Sequence, residues 1–137
     1  MLVSLFSLSR ARGRVLVFAA NPTLTRTIVV TLRSIGYDAR FAPEPSEWQN
    51  KLTDFDLVIL ANSRPVWFSE RIFDICSAVR RNSPDVPIIV VGPDDLEAKV
   101  RLFEIGADDY IVEPFDLHEF LARVKSLIRR QTSGEGN

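Results

Sequence analysis

This chain of 137 residues has little of what catalytic or metal-binding proteins commonly use. It has one cysteine, Cys76, so no internal disulfide and no multi-cysteine metal site can form. It has one histidine, His118, which excludes a histidine cluster. The formal net charge is -1, so the chain has no strongly positive field with which to grip nucleic acid phosphates directly. A Gly-rich phosphate loop is absent. The apolar part of the opening stretch MLVSLFSLSRARGR is far shorter than the roughly 20 residues of a membrane span. Its basic residues Arg10, Arg12 and Arg14 follow the apolar part, the reverse of a secretory signal. Residues 1–13 are therefore expected to be an N-terminal extension, and the chain is expected to be cytoplasmic, with no membrane partner.

What is present is alternation. RVLVFA, DARFA, DLVILA, PIIVVG and DYIV read as strands, and the continuous apolar runs among them suit parallel strands covered on both faces. Helical spacing connects them. Asn21-Pro22 opens a first helix that carries Leu24, Ile28, Leu32 and Ile35 and stops at Gly36. Ser46 to Leu52 is a short second helix. Phe68, Ile72, Ile75 and Val79 mark a third, closed by Asn82-Ser83-Pro84, with Cys76 expected in its apolar face. Asp94 with Glu97 predicts a capped start to a fourth that ends at Gly106, and Asp116 with Glu119 does the same for a fifth. Five strand-helix units predict an α/β fold, a doubly wound five-stranded parallel sheet. At this length the flavodoxin-like order 2-1-3-4-5 is the natural choice. Residues 131–137, QTSGEGN, read as a linker or C-terminal tail.

The fourth helix has two apolar sides. At about 100° per residue, Ala98, Leu102 and Ile105 cluster on one and Leu96, Val100 and Phe103 on nearly the opposite one. A surface helix needs one stripe to meet its own core, so the second asks for a partner.

The segment KVRLFEIGADDYIVEPFDLHEFLARVKSLIRR, Lys99 to Arg130, resembles the receiver domains of two-component response regulators, most closely those of the OmpR/PhoB transcription regulators. GADDY, Pro114-Phe115 and EFLAR carry the likeness, which extends over residues 14–130. It implies the CheY-like, three-layer α/β/α form of the fold. It also implies a phosphorylation site, and here the chain departs from the pattern. The acidic metal-binding pair falls on Ala19 and Ala20, the phosphoacceptor on Ala61, the Ser/Thr on Gly92 and the Lys on Glu113. Tyr110 keeps the aromatic switch position. Phosphoryl transfer to a carboxylate needs the carboxylate, and Mg²⁺ needs oxygen ligands. The resemblance therefore implies an atypical receiver, not phosphorylated by the usual route, with no cofactor and no metal. Ser63 reads as a turn serine and Asp94 as a helix cap.

The resemblance further implies a homodimer through the fourth helix, fifth strand and fifth helix. The matching positions are Leu96, Lys99, Val100, Arg101, Phe103, Glu104, Asp108, Asp109, Glu119, Arg123 and Lys125. Asp109 with Arg123, Lys99 with Glu119 and Glu104 with Lys125 are the expected pairs across the two-fold axis. The expected function is a regulatory dimerisation module of a transcription regulator, its DNA-binding domain lying outside this chain. Two alternatives remain: a stand-alone signalling adaptor, and a receiver that senses a small molecule at the degenerate site. An enzyme is not expected, since no nucleophile-base pair is apparent.

Overall fold

The computed structural model describes residues 12–19, 22–42, 47–61 and 70–136. Five parallel strands, β1 (Arg14–Ala19), β2 (Asp38–Phe41), β3 (Leu57–Ala61), β4 (Ile88–Gly92) and β5 (Asp109–Val112), form one sheet in the order β2-β1-β3-β4-β5. The expected fold and strand order are thus the observed ones. Every residue of β3 and β4 is buried, because these strands lie inside the sheet with both faces covered. Helices α1 (Pro22–Ser34), α2 (Glu70–Asn82), α3 (Leu96–Ile105) and α4 (Leu117–Gly136) complete the three layers. One apolar cluster joins Phe18, Val58, Leu60, Cys76, Val79 and Leu102, with α2 and α3 on that face. The other joins Val17, Ile28, Leu32, Ile59, Ala61, Phe120 and Val124, with α1 and α4 on that face. Among the described residues, no helix is long and apolar enough to cross a membrane.

Two helices end as their glycines predict. Gly36 and Gly106 take positive φ, 101° and 135°. The N–H of Tyr37 returns to the Leu32 carbonyl at 3.0 Å, and that of Ala107 to the Leu102 carbonyl at 2.9 Å. These are the bonds that close a helix whose last residue turns left-handed.

Three local expectations are corrected. The short second helix is a 3-10 helix over Gln49–Asp54, which ends beyond the expected Leu52 and buries that residue. Such a short segment is held by packing of one side chain more than by helical periodicity. The cap of α3 is Asp95, whose carboxylate accepts from the Ala98 N–H at 3.1 Å, and not Asp94. A cap must lie three residues before the N–H that it receives, and Asp95 does. Helix α4 runs on to Gly136, through most of the expected tail. Once a helix is formed, each added residue gains a hydrogen bond at little further ordering cost. The Asn21 cap, the start at Ser46 and the marker Phe68 lie outside the described residues.

At the open edge of the sheet, Asp38 and Ala42 donate to the carbonyls of Gly13 and Val17, next to and within β1. The carbonyl of Ala39 therefore points away from β1, and Arg33 Nε of α1 donates to it at 2.9 Å.

Candidate functional site

The carboxyl ends of β1, β3 and β4 lie side by side. Ala19 is in register with Ala61, Ala61 with Val91, and Gly92 with Val112. The structure thus brings Ala61, Gly92 and Glu113 to one end of the sheet, with the backbone of Ala19 beside them. Ala20 lies outside the described residues, as does Ser63. Ala61 is 2% exposed, and its methyl group packs in the cluster on the α1 and α4 side. Gly92 is buried and has no side chain to offer. Chemically, Ala61 and Gly92 present neither a nucleophile nor a metal ligand. Among the described residues no group of three His, Cys, Asp or Glu side chains could hold a metal ion.

Glu113 and Tyr110 bring the polar atoms to this end. The Glu113 N–H donates to the Gly92 carbonyl at 2.8 Å. Its side-chain Oε1 is buried and meets no hydrogen-bond partner among the described residues. Burial pushes its pKa above the ordinary carboxyl value. The peptide bond from Glu113 to Pro114 is cis. Tyr110 points inward, and its hydroxyl donates to the Pro93 carbonyl at 2.5 Å. Burial raises the Tyr110 pKa strongly, and the carboxylates of Asp95, Asp94 and Glu113 add to the rise. Cys76 is buried, with its thiol pushed up to about 11 by burial, and reads as core.

Along the edge of the molecule, the two stripes of α3 separate as their spacing predicts. Ala98 and Leu102 are buried and Ile105 packs against the same cluster. Leu96, Val100 and Phe103 are 73%, 48% and 43% exposed, so these three large apolar side chains stand open on one chain. Lys99 lies over the Tyr110 ring, 5.5 Å from its centroid, and Glu104 and Lys125 are exposed. The expected pair of Asp109 with Arg123 is made within the chain, at 2.7 and 2.9 Å. Arg123 also holds Glu119 at 2.9 Å, one helical turn away. The hydrogen bonds to Asp109 and then Glu119 hold the Arg123 charge more firmly.

Arg101 and Asp108 are exposed and also make contacts within the chain. The Arg101 guanidinium lies 3.9 Å from the centroid of the Phe73 ring on α2. It also lines an open cavity of about 220 Å³ with Phe73, Asp95, Glu97 and Ala98. One residue past Val100, the helical turn carries this side chain round toward α2. Asp108 precedes β5, where it accepts from the Ile88 N–H at 2.8 Å and from Arg80 at 3.2 Å. Arg80 was not legible as important in the sequence. It donates to the carbonyls of Ser83, Pro84, Val86 and Gly106 as well as to Asp108. No side-chain pattern signals acceptors that are backbone carbonyls of separate segments.

Comparison with known proteins gives a consistent picture. No protein-family model matches the chain. The response regulator ArlR of Staphylococcus saprophyticus is 32% identical over 120 residues, an overlap that covers 86% of this chain and 53% of that protein. The DNA-binding dual master transcriptional regulator RpaA of Synechocystis is 30% identical over 122 residues, covering 85% of this chain and 49% of that one. Among solved structures, the non-phosphorylated HemR receiver domain of Leptospira biflexa matches with a TM-score of 0.71 at 28% identity. That match covers 85% of this chain and 94% of the HemR chain. The chain spans about half the length of the curated relatives it matches.

Proposed function

From a chain that is a response-regulator receiver domain of the two-component kind, we infer a module that regulates by dimerising and does so without phosphoryl transfer. It serves a transcription regulator whose DNA-contacting part is a different segment from this one. The observation that carries this reading is a contrast of side chains. The strand ends offer Ala61 and Gly92, while α3 presents Leu96, Val100 and Phe103 to solvent. A carboxylate cannot be replaced by a methyl group as phosphoryl acceptor, and an apolar stripe this open favours burial against a second copy. The packed methyl of Ala61 supports this reading over one in which a small molecule occupies the strand ends.

In the proposed dimer, burial of Val100 and Phe103 supplies most of the affinity, at about 25 cal/mol per Å² of apolar area before association costs. Lys99, Glu104, Asp109, Glu119, Arg123 and Lys125 surround the stripe and set its register, since exposed ion pairs contribute only about 0–1 kcal/mol each. Arg123 joins a cross-chain pair by sharing or exchanging the carboxylates that it already holds.

Sedimentation velocity over a concentration series, with and without Mg²⁺ and beryllofluoride, tests both halves. The expected result is a dimer whose dissociation constant ignores beryllofluoride and a Phe103→Asp variant that stays monomeric. A wild-type chain monomeric at all concentrations, a dimer indifferent to Phe103→Asp, or a dimer strengthened by beryllofluoride would overturn the reading.

A further inference from the structure

A buried carboxyl oxygen without a donor is costly when charged and far less so when protonated. Glu113 Oε1 is such an oxygen. Among the described residues, the elements at this end of the sheet offer little positive charge. Strands β3 and β4 end in Ala61 and Gly92, which carry none. The segment between β4 and α3 carries Asp94 and Asp95, and both act on the same Tyr110 hydroxyl as Glu113 does. Helix α3 contributes Lys99, placed over the Tyr110 ring. On β5, Asp109 is occupied by Arg123. Before and within α4 stand Asp116 and the exposed His118, 3.8 Å apart. Burial alone already holds the Glu113 carboxyl above its ordinary pKa.

The backbone beside this carboxyl and the neighbouring tyrosine hold two adjacent carbonyls. The Glu113 N–H holds Gly92, and the Tyr110 hydroxyl holds Pro93. Gly92 and Pro93 begin the short segment that ends at Asp95, the cap of α3.

We propose that Glu113 is a proton-sensing residue that sets the position of the β4–α3 segment. Protonated, its Oε1 stays buried, the Glu113 N–H keeps its tie to Gly92 and the Pro93 tie holds Tyr110 inward, as seen here. Ionised, the carboxylate turns toward water and away from Asp94 and Asp95. It strains the Gly92 tie and loosens the start of α3. The proton goes to solvent, and no other group changes state. The exposed stripe of Leu96, Val100 and Phe103 starts at that end of α3, so the switch reaches the dimer surface, a link that rests on the dimer reading above.

Carbon-detected NMR of the full chain, from about pH 4 to about pH 8, spans the range in which a raised carboxyl titrates. The side-chain carboxyl of Glu113, the amides of Gly92, Asp94 and Asp95, and the Tyr110 ring are followed together. They are expected to share one midpoint, above the ordinary carboxyl range, and Glu113→Gln should remove that transition and leave Tyr110 in its low-pH state. Tyr110→Phe should keep the Glu113 midpoint but shrink the response of Asp94 and Asp95. A Glu113 that titrates in the ordinary range, or at a raised midpoint with Gly92 and Tyr110 unmoved, would overturn the proposal. Sedimentation of the same samples separates the two readings. A shared midpoint in a protein monomeric at every pH overturns the dimer alone. A dimer without a shared midpoint overturns the switch alone.

Discussion

The carboxyl ends of the strands and the α3–β5–α4 face meet at β5, yet their side chains differ in kind. At the strand ends, alanine and glycine stand at Ala61 and Gly92, and the nearby carboxyl of Glu113 has a buried oxygen with no partner among the described residues. On the face, charges of both signs remain and are engaged, as Arg123 shows by gripping Asp109 and Glu119. The difference teaches that this fold does not depend on chemistry at its strand ends. The sheet is held by β3 and β4, which are apolar and buried throughout. Side chains there can be pared to a methyl group while the scaffold still positions a surface.

The hardest blow to this contrast falls behind the face. Arg80→Ala removes the donors that four carbonyls and Asp108 share. Several of these groups are partly buried, so the loss should be about 3 kcal/mol. Urea unfolding reads it directly, and Arg80→Lys should recover only part, because an ammonium cannot span the same carbonyls. A loss near zero would mean that the loop before β5 holds itself.

A smaller effect sharpens the other side of the contrast. Because the folded-state pKa of Glu113 is raised, the folded chain binds its proton more tightly than the unfolded chain. Stability is therefore greatest below the ordinary carboxyl pKa, as far as this residue is concerned. It declines as pH rises from that value through the raised one. Glu113→Gln should abolish this part of the decline, so its stability relative to wild type should grow toward neutral pH. Thermal melts at a series of pH values would show it, and parallel curves for the two proteins would refute it.

Least of all should come from Arg123→Ala. Its side chain is 40% exposed, and pairs of that kind are worth about 0–1 kcal/mol. Chemical denaturation should scarcely change, while the affinity of the proposed dimer should fall. A large loss of monomer stability would turn the charged face into part of the scaffold.

The architecture was largely legible in the sequence. Apolar runs marked β3 and β4, glycines marked two helix ends, and the observed strand order was the natural choice at this length, though alternation alone does not prove it. The two sides of α3 followed from angular spacing alone, and Leu102 and Leu96 are buried and exposed accordingly. The site was legible as the place of Ala61, Gly92 and Glu113. The orphaned oxygen of Glu113 was not, since orphanhood is a relation among atoms from separate segments. The spacing to Glu97 pointed to Asp94 as the cap, and only the direction of the chain into α3 shows that its neighbour Asp95 fills that place. Arg101 and Asp108 were assigned to the face by likeness, and their contacts within the chain, with Phe73 and Arg80, were not legible.

The bond from Arg33 to the Ala39 carbonyl has a consequence for how copies of this chain can meet. An outer strand with free carbonyls invites another chain to extend the sheet. Here an acceptor on the outward side of β2 is already occupied by a cation from the neighbouring helix. A stranger arriving as a sixth strand would have to displace a charged donor before forming its own ladder. Growth of the sheet in that direction is discouraged, and association is steered toward faces where side chains rather than backbones do the recognising.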